Sequence, residues 1–350
     1  MAQTPREIVT AALHFAGPDR LPRDMWTLPW GEQHYPGELA EMRRRFPSDF
    51  AGSPGVYQPS TRVRGEAHTP GTFTDDWGCT FVNIQAGVIG EVREPMVADI
   101  GDTSMVLPPY ETLPADLDAA RDRVNRSYAG SDHYVRGSCC PRPWERYQFL
   151  RGTMNAMMDF MQPAANVATL LRQIHEYYLK ELEFWVSTDV DAVMFMDDWG
   201  AQHQLLIPPV VWREWFKPLY RDYCDLAHAH GKAIFMHSDG HITEIYEDLI
   251  DVGVDALNSQ LFCMDIEDLA RRAKGRITFW GEIDRQHVLT CDDPEVGRRA
   301  VRRVAEHLYD PQGGIIAQFE FGAAAQPATA LAIFEEWERV DAAAREPTHV

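Results

Sequence analysis

The sequence has far fewer basic than acidic residues. Its 350 residues contain 33 Lys and Arg against 53 Asp and Glu, which gives a formal net charge of −20. Such a surface repels phosphate backbones and anionic lipid headgroups, so nucleic acid and membrane surfaces are poor candidate partners. The excess of acid excludes neither an anionic small molecule bound by a local arginine cluster nor a homodimer formed through an apolar patch.

Cysteine is scarce, and none of the six cysteines belongs to a CxxC pair. Cys139 and Cys140 are adjacent, which suits neither a simple disulfide nor a zinc knuckle. The N-terminal stretch lacks the basic segment and apolar run of a secretory signal, and no run reaches about 18 uncharged apolar residues. The sequence therefore predicts a protein of the reducing cytoplasm with free thiols.

The usual marks of an open nucleotide-binding sheet are also missing, because neither GxGxxG nor a P-loop follows a predicted strand. From about residue 133, short apolar runs alternate with longer helical patterns, which predicts a parallel sheet. The strand candidates are residues 23–28, 134–138, 191–196, 232–237, 254–258, 276–281 and 314–320. These seven candidates are close in number to the eight strands of a closed α/β barrel.

We therefore predict an α/β fold, a single (β/α)8 TIM barrel domain over residues 1–350. Residues 31–126 are predicted as an extension at the barrel mouth. Within this extension we predict an irregular segment over residues 31–70. Apolar and polar residues alternate over residues 72–97, which predicts a β-hairpin or meander, and a charged helix is predicted over residues 111–126.

Five of the predicted strands end in polar residues that a core would not accept unpaired. These residues are Asp197 and Asp198, His237 and Asp239, Asn258, Glu282 and Glu320. In a parallel barrel the carboxyl ends of the strands surround one mouth, where ligands bind. The pattern therefore predicts an active site there, although polar strand ends can also simply meet water.

His237 and Asp239 are two residues apart in an extended segment, so their side chains point to the same side. With a third ligand from another strand, such as Glu320 or Glu282, they could hold one divalent metal ion. They could equally act as an acid and its orienting carboxylate, or Asp239 could cap the next helix. These interpretations stay open at this level.

Asp197 and Asp198 are adjacent, so at most one of them can point into the mouth. Two carboxylates near one cavity raise each other's pKa, which suits acid–base catalysis, and Asp198 is the candidate for that role. A turn or helix-cap role for the two aspartates is the alternative. Gln202 follows closely and could line the same wall.

Three further side chains are candidates for substrate contact. Trp26 lies near a strand end, as a packing residue or as a platform for a flat substrate. Arg136 and Arg151 could clamp a carboxylate, although Arg151 could instead pair along a helix. With these alternatives open, the substrate-binding candidates are Trp26, Arg151, Gln202, Asn258 and Glu282.

Several segments together resemble the uroporphyrinogen decarboxylase superfamily over about residues 18–340. They are GPDRLP (17–22), DDWGCTF (75–81), WERYQFLRG with MMDF (144–160), FMDDWGAQHQLLIPPVVWREWFKPLY (195–220), HAHGKAIFMHSDGHI (228–242), DLIDVGVDALN (248–258), WGEIDRQHVL (280–289) and GIIAQFEFG from residue 314. The resemblance implies a (β/α)8 barrel with its site at the carboxyl-terminal mouth. It also implies one of two activities: cofactor-free decarboxylation of uroporphyrinogen, or methyl transfer involving corrinoid proteins.

The sequence departs from the pattern of each branch. The decarboxylases carry a Met-Arg-Gln-Ala-Gly-Arg-Tyr stretch whose arginines bind substrate carboxylates, whereas residues 24–36 read DMWTLPWGEQHYP and contain no arginine. The similar methyltransferases bind zinc through a His-x-Cys pair and a later Cys. Here the pair is His237-x-Asp239 and the last strand offers Glu320, so both thiolates are missing.

The resemblance is closer to the corrinoid-dependent methyltransferases. It implies an enzyme of demethylase type that moves a methyl group between a small O- or N-methyl compound and the cobalamin of a partner corrinoid protein. His237, Asp239 and Asp198 would be catalytic, and His237, Asp239 and Glu320 would hold zinc or another divalent metal. The alternatives are a decarboxylase or lyase for a small acid, with Arg136 or Arg151 as the clamp, and a non-catalytic binding barrel.

Overall fold

The computed structural model describes residues 2–346. Its strands in chain order are β1 (Trp26–Thr27), β2 (Phe50–Gly52), β3 (Gly71–Thr74), β4 (Thr80–Asn83), β5 (Glu91–Val92), β6 (Tyr134–Arg136), β7 (Ala192–Met196), β8 (Ala233–Ser238), β9 (Ala256–Ser259), β10 (Thr278–Trp280), β11 (Ile315–Ile316) and β12 (Glu320–Phe321).

The helices are α1 (Pro5–Leu13), α2 (Pro29–His34), α3 (Pro36–Arg45), α4 (Leu117–Ser127), α5 (Pro143–Arg151), α6 (Thr153–Met161), α7 (Ala165–Val186), α8 (Pro209–Trp215), α9 (Lys217–Ala229), α10 (Tyr246–Val252), α11 (Ile266–Ala273), α12 (Pro294–Leu308) and α13 (Pro327–Arg345). Within residues 2–346, no helix has the length and apolar character needed to cross a bilayer.

Eight strand positions among the described residues close into a barrel. Seven strands form a sheet in the order β11-β10-β9-β8-β7-β6-β2, and every pairing in it is parallel. β12 continues the line of β11 and pairs in parallel with β1, where Trp26 lies opposite Glu320. The Asp49 backbone N–H donates to the Arg23 carbonyl at 3.0 Å, which joins the segments before β1 and β2. The ring is closed, and the predicted (β/α)8 fold is confirmed.

Large apolar side chains fill the barrel interior, and α1 covers its amino-terminal end. Val9 and Leu13 of α1 pack in one buried cluster with the first residues of β2, β6, β7 and β9. Arg136 also lies inside: its guanidinium carbon is 4.4 Å from the Phe50 ring centroid and 4.5 Å from that of Trp280, and its Nη2 donates to Asp24 at 2.9 Å. Arg136 therefore packs against aromatic rings and pairs with Asp24 inside the barrel.

The extension before β6 is only partly as predicted. β3, β4 and β5 form the expected antiparallel sheet, and α4 matches the predicted charged helix. Residues 31–70, however, contain most of α2, all of α3 and the barrel strand β2 rather than an irregular segment. β2 has three residues and is followed by a Gly- and Pro-rich stretch, so it is too short for strand periodicity to be visible.

Local sequence determines several helix ends. Thr4 and Glu7 form a reciprocal capping box at the start of α1, with Pro5 in the first turn. α5 and α6 follow each other directly in the chain as two separate helices. Gly152 separates them with a φ of +74°, a conformation that residues with a Cβ rarely adopt.

Candidate active site

Neighbouring parallel strands bring polar residues to the same height at the carboxyl-terminal mouth. Met196 of β7 lies opposite His237 of β8, and His237 lies opposite Asn258 of β9. Asp198 follows β7 by two residues, and Glu320 begins β12. The structure therefore places most of the sequence-predicted residues at one end of the barrel.

Asn258 fixes the orientation of the His237 ring. The Asn258 amide Nδ2 donates to the Trp280 carbonyl at 2.5 Å and to Gln318 Oε1 at 2.9 Å. Asn258 Oδ1 is therefore the acceptor, and it receives a hydrogen bond from His237 Nδ1 at 2.6 Å. Since Nδ1 carries the hydrogen, Nε2 is the atom left to act at the mouth.

Two carboxylates meet at His237 Nε2. Asp239 Oδ1 lies 3.3 Å and Asp198 Oδ1 lies 3.5 Å from this atom. Burial opposes a charge on the ring, but the carboxylates of Asp239 and Asp198 outweigh it and raise the pKa of His237 to about 10. The pair of carboxylates thus favours a positive species at Nε2, whether a proton or a metal ion.

Asp198, His237 and Asp239 each offer one ligand atom, and these atoms lie within 4.8 Å of one another. Asp239 Oδ1 is buried and accepts no hydrogen bond within the described part of the chain. A histidine nitrogen and two carboxylate oxygens form an all-N/O donor set, which suits zinc, manganese or iron. The residues present therefore fit a divalent metal ion.

Arg285, which the sequence reasoning missed, joins Asp239 to two further carboxyl groups, those of Glu282 and Glu320. Its Nη2 donates to Asp239 Oδ2, its Nη1 donates to Glu320 Oε1 at 2.8 Å, and its Nε lies 3.5 Å from Glu282 Oε1. Glu320, predicted as the third metal ligand, is held by this cation, and Asp198 takes its place beside His237. We refer to Asp198, His237, Asp239, Glu282, Arg285 and Glu320 as the mouth cluster.

Arg285 also affects the charge of its neighbours. Burial would raise the pKa of Asp239, but His237 and Arg285 stabilise the carboxylate and lower that pKa to about 2. In the sequence, Arg285 is a single basic residue after the strand end at Glu282, among acidic residues (WGEIDR). The signal that could have pointed to Arg285 in the sequence is a lone basic residue among several acidic ones.

Two buried carboxyl groups next to these charges favour the protonated form. Burial raises the pKa of Glu282 to about 8, with Arg285 opposing the shift, and neither Glu282 oxygen has a hydrogen-bond partner among the described residues. Burial and the nearby Asp198 raise the pKa of Glu145, in the first turn of α5, to about 7. Carboxyl groups that titrate near neutrality can supply or accept protons at the mouth.

The raised pKa of Glu282 predicts a pH dependence of stability. The folded chain keeps a proton on Glu282 that the unfolded chain releases above about pH 4.5, so this group lowers the free energy of unfolding as the pH rises towards 8. We expect Glu282→Gln to reduce that decline by roughly 1 kcal/mol per pH unit. Urea unfolding at several pH values between about 5 and 8 measures the slope of the unfolding free energy against pH for both proteins.

The matched control is Glu306→Gln at an exposed position of α12. It should reproduce the slope of the original protein. Equal slopes for all three proteins would contradict a protonated Glu282.

Asp197 faces away from the mouth cluster and caps α5. Its oxygens accept hydrogen bonds from the backbone N–H groups of Trp144 and Glu145, both at 2.8 Å, and from the Tyr220 hydroxyl at 2.7 Å. Asp198 points to His237 instead. The adjacent aspartates therefore diverge as strand geometry predicts, and only Asp198 contacts the cluster.

This division of roles predicts opposite effects of two similar substitutions. Asp197→Asn places an amide group where a carboxylate oxygen accepts a buried hydrogen bond, and should cost about 1–3 kcal/mol of unfolding free energy. Asp198→Asn should cost less stability and reduce turnover more. Denaturant unfolding and steady-state kinetics of both variants check this, and the reverse pattern would contradict the assignment.

The remaining sequence candidates separate into two groups. The Trp26 ring centroid lies 5.4 Å from that of His237, and Gln202 lines a cavity of about 30 Å³ that also contacts Glu282 and Arg285. Arg151 lies elsewhere: its guanidinium binds Asp159 through two hydrogen bonds of 2.6 and 2.9 Å and is buried. The structure does not bring Arg151 to the mouth, because it is used to fix α5 to α6.

Comparison with known proteins identifies the family. A family model described as uroporphyrinogen decarboxylase (URO-D) matches residues 82–336, well over half of the chain. The chain belongs to the uroporphyrinogen decarboxylase family. The family predicted from the sequence segments is thereby confirmed, and with it an enzymatic scaffold. No curated protein matches this chain.

One solved structure shares the fold of this family member. A methyltransferase from Methanosarcina mazei superposes with a TM-score of 0.67 at 13% identity, covering 96% of this chain and 99% of that one. An endo-β-1,4-xylanase of glycoside hydrolase family 10 from Gloeophyllum trabeum gives a TM-score of 0.42 at 11% identity, covering 94% and 98%. The first supports the barrel, and the second is too distant to inform function.

Proposed function

We propose that this protein is a methyltransferase of demethylase type, which moves a methyl group from a small O- or N-methyl compound to the corrinoid of a partner protein. The observation that carries the proposal is the position of His237 Nε2 between Asp198 and Asp239. Asn258 orients the ring through a hydrogen bond to Nδ1 at its other edge. This arrangement places a proton or a metal ion at Nε2, and the oxygen or nitrogen that leaves must be protonated or bound to a cation.

The reaction breaks the bond between the methyl carbon and the oxygen or nitrogen of the donor. The electron pair of that bond stays on the heteroatom, and the methyl group passes to the reduced corrinoid. An alkoxide is a poor leaving group, so the heteroatom must be protonated or bound to a cation as the bond breaks. A protonated His237, with Glu282 as a second proton source, supplies this need at the mouth.

Asp198, His237 and Asp239 would hold a divalent metal ion where one is bound, and such an ion supplies Lewis-acid stabilisation of the leaving heteroatom. Metal binding and proton donation exclude each other at His237, because both use Nε2. In either case Asn258 orients the ring, and Arg285 keeps Asp239 ionised. Trp26 and Gln202 would contact the donor beside the cluster.

Electrostatics disfavour decarboxylation of a polycarboxylate. Arg285 is already shared by Asp239, Glu282 and Glu320, and Arg151 is bound to Asp159. A substrate that carries several carboxylates would therefore meet more acid than free cation at this mouth. A neutral or cationic donor has no such penalty.

The experiment that tests the proposal uses the full chain, a reduced corrinoid protein and a panel of O- and N-methyl donors, followed by the corrinoid absorption spectrum. A donor-dependent change to the methylated spectrum is the expected result. Release of carbon dioxide from a small acid without any corrinoid would support the decarboxylase instead. No methylated corrinoid with any donor would overturn the proposal.

A further inference from the structure

Arg136 and Gly52 lie side by side at the carboxyl ends of two neighbouring barrel strands. Arg136 is the last residue of β6, Gly52 is the last residue of β2, and the two residues pair in the parallel register. Phe50, two residues before Gly52, belongs to the buried cluster inside the barrel. Because side chains alternate along a strand, a side chain at position 52 would also point into the barrel.

The barrel interior is open beside Gly52. Gly52 is exposed, and a Cβ atom placed on it would meet no atom of another described segment within 4 Å. Along β7, Met194 and Met196 face the interior and are partly exposed, whereas the alternating residues on the other face of the strand are buried. The mouth therefore continues into a recess bordered by β2, β6 and β7, and this recess reaches Arg136, whose side chain is 16% exposed.

The protein uses only part of the hydrogen-bonding capacity of Arg136. Within residues 2–346, Nη2 donates to Asp24 at 2.9 Å, and Nη1 has no hydrogen-bond partner. Asp24 also accepts hydrogen bonds from the Ser48 hydroxyl at 3.1 Å and from the Trp280 indole at 3.3 Å. An arginine side chain carries five N–H donors, so donors remain for a ligand even though Asp24 is fully held.

Two tryptophan rings connect Arg136 with the mouth cluster. The guanidinium carbon of Arg136 lies 4.5 Å from the Trp280 ring centroid, and the Trp280 and Trp26 centroids are 4.9 Å apart. The Trp26 ring in turn lies 5.4 Å from the ring of His237. The apolar body of a small molecule can therefore pack along these rings, with one end at Arg136 and the other towards His237.

We propose that Arg136 binds the carboxylate of the methyl donor, which makes the donor a small monocarboxylic acid. Its apolar part packs against Trp26, and its methyl-bearing oxygen or nitrogen lies towards His237 Nε2. Guanidinium and carboxylate groups form charge-assisted hydrogen bonds, and Arg136 matches one carboxylate but not the several of a polycarboxylate. The role of this acid as a methyl donor rests on the proposed function, whereas the contact between its carboxylate and Arg136 does not.

The test is calorimetric titration of the full chain with sodium benzoate, and benzamide serves as the uncharged analogue of the same shape. We expect saturable benzoate binding that weakens about tenfold or more in Arg136→Gln, and clearly weaker binding of benzamide. The matched control is Arg23→Gln. Arg23 is 13% exposed, pairs with Glu338 at 3.1 Å and lies over the Phe46 ring, but it precedes the amino end of β1. This control should bind benzoate as the original protein does.

Two further variants keep the test decisive if Arg136→Gln does not fold, which thermal unfolding reveals. Gly52→Val leaves Arg136 in place and fills the recess beside it, so it should also weaken benzoate binding. Arg136→Lys retains a cation beside Asp24 but lacks the planar array of donors, and it too should bind benzoate less tightly than the original protein does.

Three results would each overturn the proposal. They are absence of saturable benzoate binding to the original protein, unchanged affinity in the folded variants of Arg136, and equal binding of benzamide and benzoate. The assay contains neither methyl donor nor corrinoid, so its outcome is independent of the proposed function. Benzoate binding that depends on Arg136, together with no methyl transfer from any donor, would contradict the proposed function alone.

Discussion

His237→Ala is expected to reduce kcat/KM for methyl transfer by about 10³-fold, within the range that a positioned acid or metal contributes. The substitution removes Nε2 from between Asp198 and Asp239, so no group remains there to carry positive charge to the leaving heteroatom. Steady-state kinetics with the responding donor measure the loss. The free energy of unfolding should change little compared with this loss of activity, because the ring lies at the mouth of the barrel.

The matched control is His228→Ala. His228 also pairs with an aspartate, Asp255, at 2.9 Å, but it lies near the amino ends of the strands. Its loss should leave kcat/KM nearly unchanged, and equal losses in both variants would contradict a specific role for His237.

Elemental analysis of the same proteins separates the two roles of Nε2. A stoichiometric metal ion that disappears in His237→Ala assigns His237 as a ligand. A fully active protein without metal assigns it as the acid.

Arg285→Met is expected to lower the free energy of unfolding by about 3 kcal/mol at neutral pH, as removal of one partner from a buried charge group does. The substitution leaves the carboxylates of Asp239 and Glu320, beside the protonated Glu282, without their shared cation. Protonation of Asp239, whose pKa Arg285 no longer lowers, relieves the repulsion between the two carboxylates, so the loss should shrink as the pH falls towards about 5. Denaturant unfolding at both pH values gives the two differences.

Arg298→Met is a suitable control for this loss. Arg298 has the same side-chain exposure as Arg285, 21%, and pairs with Glu335 at 3.0 Å between α12 and α13, away from the mouth. A pair of this kind is worth about 1 kcal/mol or less. If Arg285→Met cost no more than Arg298→Met, the mouth cluster would not be the concentration of charge described above.

Sequence reasoning succeeded where a pattern is local. The apolar runs that became β7 and β8 are five and six residues long and end in charged residues, so both the strands and the positions of Asp198 and His237 were predictable. β2 has three residues and left no periodic signal. The barrel could still be predicted because the other strands alternate with helices.

The parts of the site that were missed depend on contacts between distant segments. Arg285 lies in a loop after β10 and reaches back to Asp239 and Glu320. Glu145 reaches the cluster because Asp197 binds the first turn of α5. Neither contact follows from spacing within one segment, which is also why Glu320 was predicted to be a metal ligand rather than the partner of an arginine.

The measurement that tests the central claim most directly is the fate of a deuterated methyl group. The full chain, a reduced corrinoid protein and a donor with a CD₃ group are incubated together, and the corrinoid is analysed by mass spectrometry. We expect the intact CD₃ group on the corrinoid with the original protein and with His228→Ala, and labelling about 10³-fold slower with His237→Ala. Label that stays on every donor tested, or labelling by His237→Ala as fast as by the original protein, would contradict the account.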